Sequence, residues 1–238
     1  MLGPVVNSAA IIIGAFAGTA SSRIINADVS KKLISVLGCV ALYIGVTMSA
    51  KGNALPPVVL SLLLGTLIGE LIHLESLFLR LSTRVASIFR RRMPGQNSIP
   101  QQAFEDQMAV ATILFCASGL GVLGAIREGM SGDASLLLVK GVLDGVTAML
   151  FAAGIGGVVG VLAIPQFLVQ LALFLIATII APLATPEMFA DFFGCGGLIM
   201  MGAALRQFGL VQVPVINMLP ALVIVMPVSS LWTTFMAV

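Results

Sequence analysis

The sequence predicts an all-α fold, a polytopic membrane helix bundle with about seven or eight transmembrane segments. Of its 238 residues, 59% are hydrophobic and 9% are charged, and the mean hydropathy is +1.12. A soluble domain carries about 25% charged residues, so this chain lacks the charge to cover a surface in water. It also contains six uncharged runs of 18 to 42 residues. A hydrocarbon core about 30 Å thick needs roughly 20 helical residues, and each run is close to or above that length.

Eight apolar segments are the candidate spans. They are residues 2–21, 33–51, 55–74, 107–126, 134–156, 160–184, 192–207 and 217–237. The fifth and sixth form one stretch of 51 residues, and Pro165 is its main helix breaker. The seventh is short for a full span, so we expect it to be tilted or half-inserted. All eight belong to a single transmembrane domain, residues 1–238.

The basic residues orient these spans. If the N-terminus lies outside the cytoplasm, nine of the twelve Lys and Arg residues fall in inner loops. Only Lys51 and Arg127 then lie near outer loops. Because cytoplasmic loops carry an excess of Lys and Arg, both termini are predicted to lie outside the cytoplasm.

The longest polar stretch divides the domain into parts. These are a first three-helix unit (1–74), a cytoplasmic amphipathic linker (75–106), central helices (107–156) and a second three-helix unit (157–238). In the linker, Leu77, Leu81, Val85 and Ile88 recur at helical spacing. That spacing, with arginines off the stripe, is typical of a helix lying on anionic headgroups. The alternative is an interfacial connector whose arginines only set the topology.

A weak internal repeat relates the two three-helix units. A shift of 157 residues superposes Gly45 on Gly202, Gly52 on Gly209 and Pro57 on Pro214. Each match lies in the same helix–break–helix context. In the predicted orientation the two units run in opposite directions, so the repeat would be inverted. Inverted repeats place substrate sites near the bilayer midplane, at broken helices.

Two charges lie inside an apolar segment and need an explanation. Lys140 and Asp144 are four residues apart and therefore share one helix face. Asp144 is roughly 16 Å beyond the loop residue Asp133 at 1.5 Å per residue, and a charge at that depth costs about 2.5–3.5 kcal/mol or more. The functional interpretation is a substrate, ion or proton site. The structural alternative is a mutually neutralising pair that holds two helices together.

Four uncharged polar residues also lie in or near the spans. Asn7 and Asn217 stand close to prolines, and a helix interrupted there exposes backbone groups that coordinate ions. A helix cap is the alternative role for either asparagine. Gln166 and Gln170 flank the start of the sixth span and are interpreted as markers of the membrane interface.

Two GxxxG motifs indicate close helix packing. Gly14 and Gly18 form the first, and Gly65 and Gly69 form the second. Such motifs let backbones approach closely, either within one chain or across a homodimer. The sequence does not choose between these arrangements.

No catalytic or cofactor motif is evident. The three cysteines, Cys39, Cys116 and Cys195, lie in apolar runs without metal-ligand spacing. Nucleophile–base constellations, phosphate loops and zinc spacings are also absent from the sequence. We therefore expect no enzyme activity, no cofactor and no metal, and the composition excludes a nucleic-acid partner.

Several spaced motifs resemble those of a known family. The stretch Phe115–Gly129 is followed by Ser131-Gly-Asp133, Leu136–Lys140 and Leu143-Asp-Gly145, and Gly3–Asn7 and Asn217–Ala221 match at the two ends. Together they are similar to the YqgA-like bacterial inner-membrane proteins, which carry a domain-of-unknown-function label. The resemblance implies a bacterial inner (cytoplasmic) membrane location, hence periplasmic termini, and a role in transport. It also marks Glu128, Lys140 and Asp144 as signature positions.

The sequence thus favours a secondary transporter or permease for a small polar or ionic solute. Asp144 and Lys140 would bind the solute at the midplane with help from Asn7 and Asn217, and Glu128 would gate or attract it. The expected partners are the lipid bilayer, the solute and a second copy of the chain. The alternatives are an ion channel or small pore, and a non-transporting membrane scaffold in which the charge pair is structural.

Overall fold

The computed structural model describes residues 1–22, 27–80, 84, 101–116 and 118–236, and within them there are helices and no strand. The helices are α1 (Leu2–Ala20), α2 (Ala27–Ser49), α3 (Leu55–Leu71), α4 (Leu74–Arg80), α5 (Gln101–Cys116), α6 (Gly119–Ser131), α7 (Ser135–Ile155), α8 (Ala163–Ile180), α9 (Pro186–Gln207), α10 (Val215–Met218) and α11 (Pro220–Met236). Short 3₁₀ segments, Gly157–Leu162 and Ala181–Leu183, flank α8. The predicted all-α class is confirmed.

The described residues contain six helical stretches that are long and apolar enough to cross a membrane. A seventh is counted if α3 and α4, which meet at a 52° bend, form one span. The apolar part of α2, Ser35–Ser49, is shorter than this criterion requires. The chain is therefore a multi-pass membrane protein.

Two spans differ in shape from the predicted ones. The seventh predicted segment is a helix of 22 residues that begins at Pro186 and is capped by Thr185. It is therefore long enough for a full span and not short. The prediction from uncharged apolar runs missed the first turns of this helix because they contain Glu187 and Asp191. The fourth predicted segment is interrupted, since α5 ends at Cys116 and α6 begins at Gly119.

The helices form two compact units, and each is described by itself. Unit 1 comprises Met1–Leu37 and Phe78–Thr178, and unit 2 comprises Gly38–Leu77 and Ile179–Val238. The predicted linker helix falls mostly outside the described residues. The predicted four-part division and the inverted repeat stay predictions.

In unit 1, α1 packs along α7 with small residues at the contact. A Cβ atom added to Gly14 would collide with the carbonyl oxygen of Gly145, and one added to Gly18 would collide with that of Met149. Since both residue numbers rise together, α1 and α7 run parallel. The large side chain of Phe16 is 73% exposed on the opposite face. Small residues inside and large apolar residues outside are typical of helices packed in lipid.

In unit 2 the same packing joins α3 to the C-terminal helices. A Cβ at Gly65 would collide with the backbone of Ala221, and one at Gly69 with the backbone of Asn217. These contacts make α3 antiparallel to α10 and α11. Both GxxxG motifs therefore pack within the chain, each inside its own unit.

Candidate functional site

The middle of α7 carries a buried ion pair. Lys140 and Asp144 are 1% and 5% exposed, and the Nζ atom of Lys140 lies 2.5 Å from Oδ2 of Asp144. At 1.5 Å per residue these side chains are about 7.5 and 13.5 Å from the start of α7. The i,i+4 pair forms within one helix, so it does not by itself hold two helices together.

Neighbouring helices of unit 1 bring amide and thiol groups to this pair. Gln166 on α8 donates a hydrogen bond from Nε2 to Oδ2 of Asp144, at 3.2 Å. The side-chain amide of Asn7 on α1 lies near the same carboxylate, although its geometry is not that of a hydrogen bond. Cys116, at the end of α5, lies within Coulombic range of both charges. Four separate helices thus converge on one charge pair.

Several buried polar atoms on these helices make no hydrogen bond within the described protein. They are Nδ2 and Oδ1 of Asn7, Oγ1 of Thr112, Oε1 of Gln166, and Nε2 and Oε1 of Gln170. All four side chains are at most 2% exposed. Thr112 lies one helical turn before Cys116 and so shares its helix face. We call Asn7, Thr112, Lys140, Asp144, Gln166 and Gln170 the polar cluster.

The polar cluster adjoins the break between α5 and α6. A Cβ atom added to Gly121, in the first turn of α6, would lie 2.6 Å from Cε of Lys140 and 3.3 Å from Nε2 of Gln170. Glycine is therefore needed here for α6 to approach these two side chains. Ser118 precedes α6 without a side-chain capping bond. The break exposes backbone N–H groups in the interior of the span.

Glu128 lies at the other end of α6 and has different partners. Its carboxylate accepts the N–H of Gly3 at 3.1 and 3.3 Å, and the α-amino group of Met1 lies 2.8 Å away. Glu128 is therefore a cap for the start of α1, about 10.5 Å along α6 from Gly121. Its predicted role in gating stays a prediction.

The loop after α6 is ordered by a second set of polar contacts. Asp133 accepts the backbone N–H of Ser135 at 2.9 Å and pairs with Arg127 at 2.7 Å. The hydrogen bonds from Ser135, together with the guanidinium of Arg127, hold the pKa of Asp133 below its usual value. These contacts fix the connection from α6 to α7.

Asn217 belongs to unit 2, whereas Asp144 belongs to unit 1. The Oδ1 atom of Asn217 accepts the backbone N–H of Glu75 at 2.7 Å. The Glu75 carboxylate in turn binds Arg206 at 2.7 Å, and Arg206 donates to the carbonyl oxygen of Val213 at 2.9 Å. Within unit 2, Asn217 thus stabilises the turn from α3 into α4.

Two features of these sites were not predicted from the sequence. Gln166 and Gln170 are buried beside the charge pair instead of marking the interface. Their i,i+4 spacing, equal to that of Lys140 and Asp144, was the available signal. Asp191 is fully buried in unit 2, although the predicted seventh span, 192–207, begins just after it.

Asp191 has a complete set of partners. Its carboxylate accepts the backbone N–H groups of Asn53 and Ala54 at 2.8 and 2.7 Å and the hydroxyl of Ser229 at 2.6 Å. It therefore caps the start of α3. Among the described residues, no group of three or more His, Cys, Asp or Glu side chains is arranged to hold a metal ion.

Comparison with known proteins gives three matches. A family model described as "Protein of unknown function (DUF554)" matches residues 2–230. "Uncharacterized protein YqgA" of Escherichia coli (strain K12) is 39% identical over 239 residues, covering 100% of each chain. "Uncharacterized membrane protein YdfK" of Bacillus subtilis (strain 168) is 25% identical over 228 residues, covering 94% of this chain and 93% of that protein. No solved structure matches.

Proposed function

The chain belongs to the DUF554 family, as its motifs predicted, and from its buried polar cluster we propose that it is a secondary transporter of a small polar or ionic solute. The solute site is the polar cluster of unit 1, with Lys140 and Asp144 at its centre. The protein acts in a bacterial inner membrane, with both termini in the periplasm. No enzymatic step is part of this proposal.

The unpartnered atoms of the polar cluster carry the proposal. Six buried side-chain atoms there lack a hydrogen bond within the protein, and each such atom costs about 1–3 kcal/mol of stability. A purely structural cluster would be expected to satisfy its members, because a half-satisfied buried network is worse than an apolar core. A polar solute would supply the missing donors and acceptors.

The charge pair suits a site that must fill and empty inside a membrane. When no solute is bound, Asp144 neutralises Lys140, so neither charge lies bare in a low-dielectric region. A solute can therefore bind beside a pair whose two charges already compensate each other. An ion gradient is the proposed energy source, since the sequence has no nucleotide-binding motif.

The helix directions within each unit are those of a chain whose spans cross the membrane alternately, whichever side holds the N-terminus. In a chain that crosses alternately from a periplasmic N-terminus, α1 and α7 both run inward, and the contacts of Gly14 and Gly18 make them parallel. The same alternation makes α3 inward and α11 outward, and the contacts of Gly65 and Gly69 make them antiparallel.

A thermal-stability screen of the full chain in detergent tests the proposal. Candidate solutes are small anions, cations, amino acids and organic acids, and a solute at 100 times its Kd adds about 2.7 kcal/mol to the free energy of unfolding. We expect wild type to be stabilised by a solute class to which Asp144→Asn does not respond. Asp191→Asn is the matched control, because it makes the same change at a buried carboxylate of unit 2 and should keep the response.

Flux into proteoliposomes then separates the alternatives. Saturable, gradient-driven uptake of the stabilising solute supports a carrier, whereas flux far above carrier rates would favour a pore. If no solute stabilises the protein and none is taken up, the scaffold interpretation replaces the proposal.

A further inference from the structure

We infer that the transported solute is an anion, and that its carboxylate or other oxyanion group binds where α6 begins, between Gln170 and Lys140. This inference rests on the proposed function and adds the class of solute to it. Three independent features of unit 1 support it: the uncapped N-terminus of a half-helix, an unpartnered amide donor beside it, and an incompletely bonded ammonium group.

The first feature is the start of α6 inside a span. α6 has 13 residues and begins at Gly119 after Ser118, whose side chain makes no capping bond. The first N–H groups of a helix have no intrahelical partner, and together they carry about half a positive charge. In the apolar interior of a membrane this end of the helix favours a negatively charged group.

The second feature is Gln170 of α8, which lies beside the first turn of α6. Its Nε2 atom would be 3.3 Å from a Cβ on Gly121, the side chain is 2% exposed, and neither its nitrogen nor its oxygen has a partner. An amide nitrogen can only donate. A ligand oxygen placed near Gly121 would therefore satisfy this donor and the backbone donors of α6 together.

The third feature is the ammonium group of Lys140. Its Cε atom would be 2.6 Å from a Cβ on Gly121, so the end of the side chain also lies at this turn. Lysine has three donors, and the hydrogen bond of Nζ goes to Asp144. Its other donors are available to a ligand oxygen at this turn.

The balance of charge at the start of α6 favours an anion over a cation. Asp144 neutralises Lys140, so the pair has no net charge to attract a cation. The partial positive charge at the start of α6 favours a negative group. A small carboxylate, or an inorganic oxyanion of similar size, fits this position.

The test compares solute classes in variants that retain the charge pair. Full-length protein in detergent is titrated with sodium salts of acetate, lactate, succinate, phosphate and sulfate, with sodium chloride at equal ionic strength as reference, and with choline and glycerol as cationic and neutral probes. The organic acids and the inorganic oxyanions form separate arms, so the source of the anionic group is identified.

Gln170→Met removes the amide donor and keeps the side-chain length. We expect its melting temperature to equal or exceed that of wild type, because an unpartnered buried amide is lost, while anion affinity falls about tenfold or more. Gly121→Ala should also weaken anion binding, since its Cβ displaces Lys140 and Gln170. Gly124→Ala is the matched control: its Cβ would lie 2.8 Å from Cδ2 of Leu137, at the same helix contact but away from the amide, and it should bind anions as wild type does.

Three results overturn the inference in distinguishable ways. If only choline, glycerol or another non-anionic probe stabilises the protein, and Asp144→Asn abolishes that response, the transporter proposal stands and the anion assignment is wrong. If no probe binds and no flux is measured, both fail. Anion binding that Gln170→Met leaves unchanged also overturns the assignment to the start of α6.

Discussion

Two buried carboxylates show how differently the same residue type is used in this chain. Asp191 accepts two backbone N–H groups and a hydroxyl, all of which belong to the fold of unit 2. Asp144 receives a lysine and a glutamine on one oxygen and lies among atoms that have no partner. The complete hydrogen bonding of Asp191 indicates a structural role, whereas the polar atoms without hydrogen bonds around Asp144 indicate a binding role.

Removal of the charge pair should be tolerated, whereas removal of half of it should not. Asp144→Leu leaves the Lys140 ammonium buried without a carboxylate and is expected to destabilise the protein by about 3–5 kcal/mol. Lys140→Met combined with Asp144→Leu should be neutral or stabilising by about 1–4 kcal/mol. Thermal unfolding in detergent measures both. A double variant as unstable as the single one would contradict this account of the pair.

At the scale of elements, α1 and α7 depend on glycine for their approach. Gly14→Ala would place a methyl group against the carbonyl of Gly145, and the clash involves backbone that cannot rotate away. We expect a loss of about 1–3 kcal/mol in the free energy of unfolding. Ala17→Leu, on the exposed face of the same helix, should be close to neutral. Equal effects of the two substitutions would show that helix propensity, not packing, determines stability here.

The spans could be predicted from the sequence, but the partners inside them could not. A helix that crosses the lipid bilayer requires a long apolar run, so hydropathy along the sequence located most of the helices. The break before α6 contains no proline, so the sequence did not indicate it. Ser118 takes an extended conformation there, and Gly119 begins the next helix. Asp191 was placed in a loop since carboxylates in spans are rare, and only the fold shows the backbone donors that it accepts.

The candidate site was predicted in part, for a similar reason. Lys140 and Asp144 were evident because charge in an apolar run is conspicuous. Gln166 and Gln170 carry no charge and lie near a predicted span end, where amides are common. Their burial depends on how α8 packs against α6 and α7, and hydropathy does not indicate that packing.

At the scale of the whole molecule, the proposed topology can be tested with thiol labelling. In a variant without the three native cysteines, Ser131→Cys should react with a membrane-impermeant maleimide in intact cells, since Ser131 ends α6 on the predicted periplasmic side. Leu210→Cys, at an exposed position that follows α9 on the predicted cytoplasmic side, should react only after the cells are lysed. The reverse pattern would place both termini in the cytoplasm.

The cap that Asp191 provides also imposes an order of events during synthesis. Its acceptor oxygen is encoded 138 residues after Asn53, an interval of roughly 7–28 s at about 5–20 residues per second on the ribosome. Until then α3 enters the bilayer with an unfinished N-terminus, and α1 similarly awaits Glu128, 125 residues after Gly3. A chain that stops before Asp191 therefore lacks the acceptor that caps α3, and we expect it to accumulate to a lower level than the full chain.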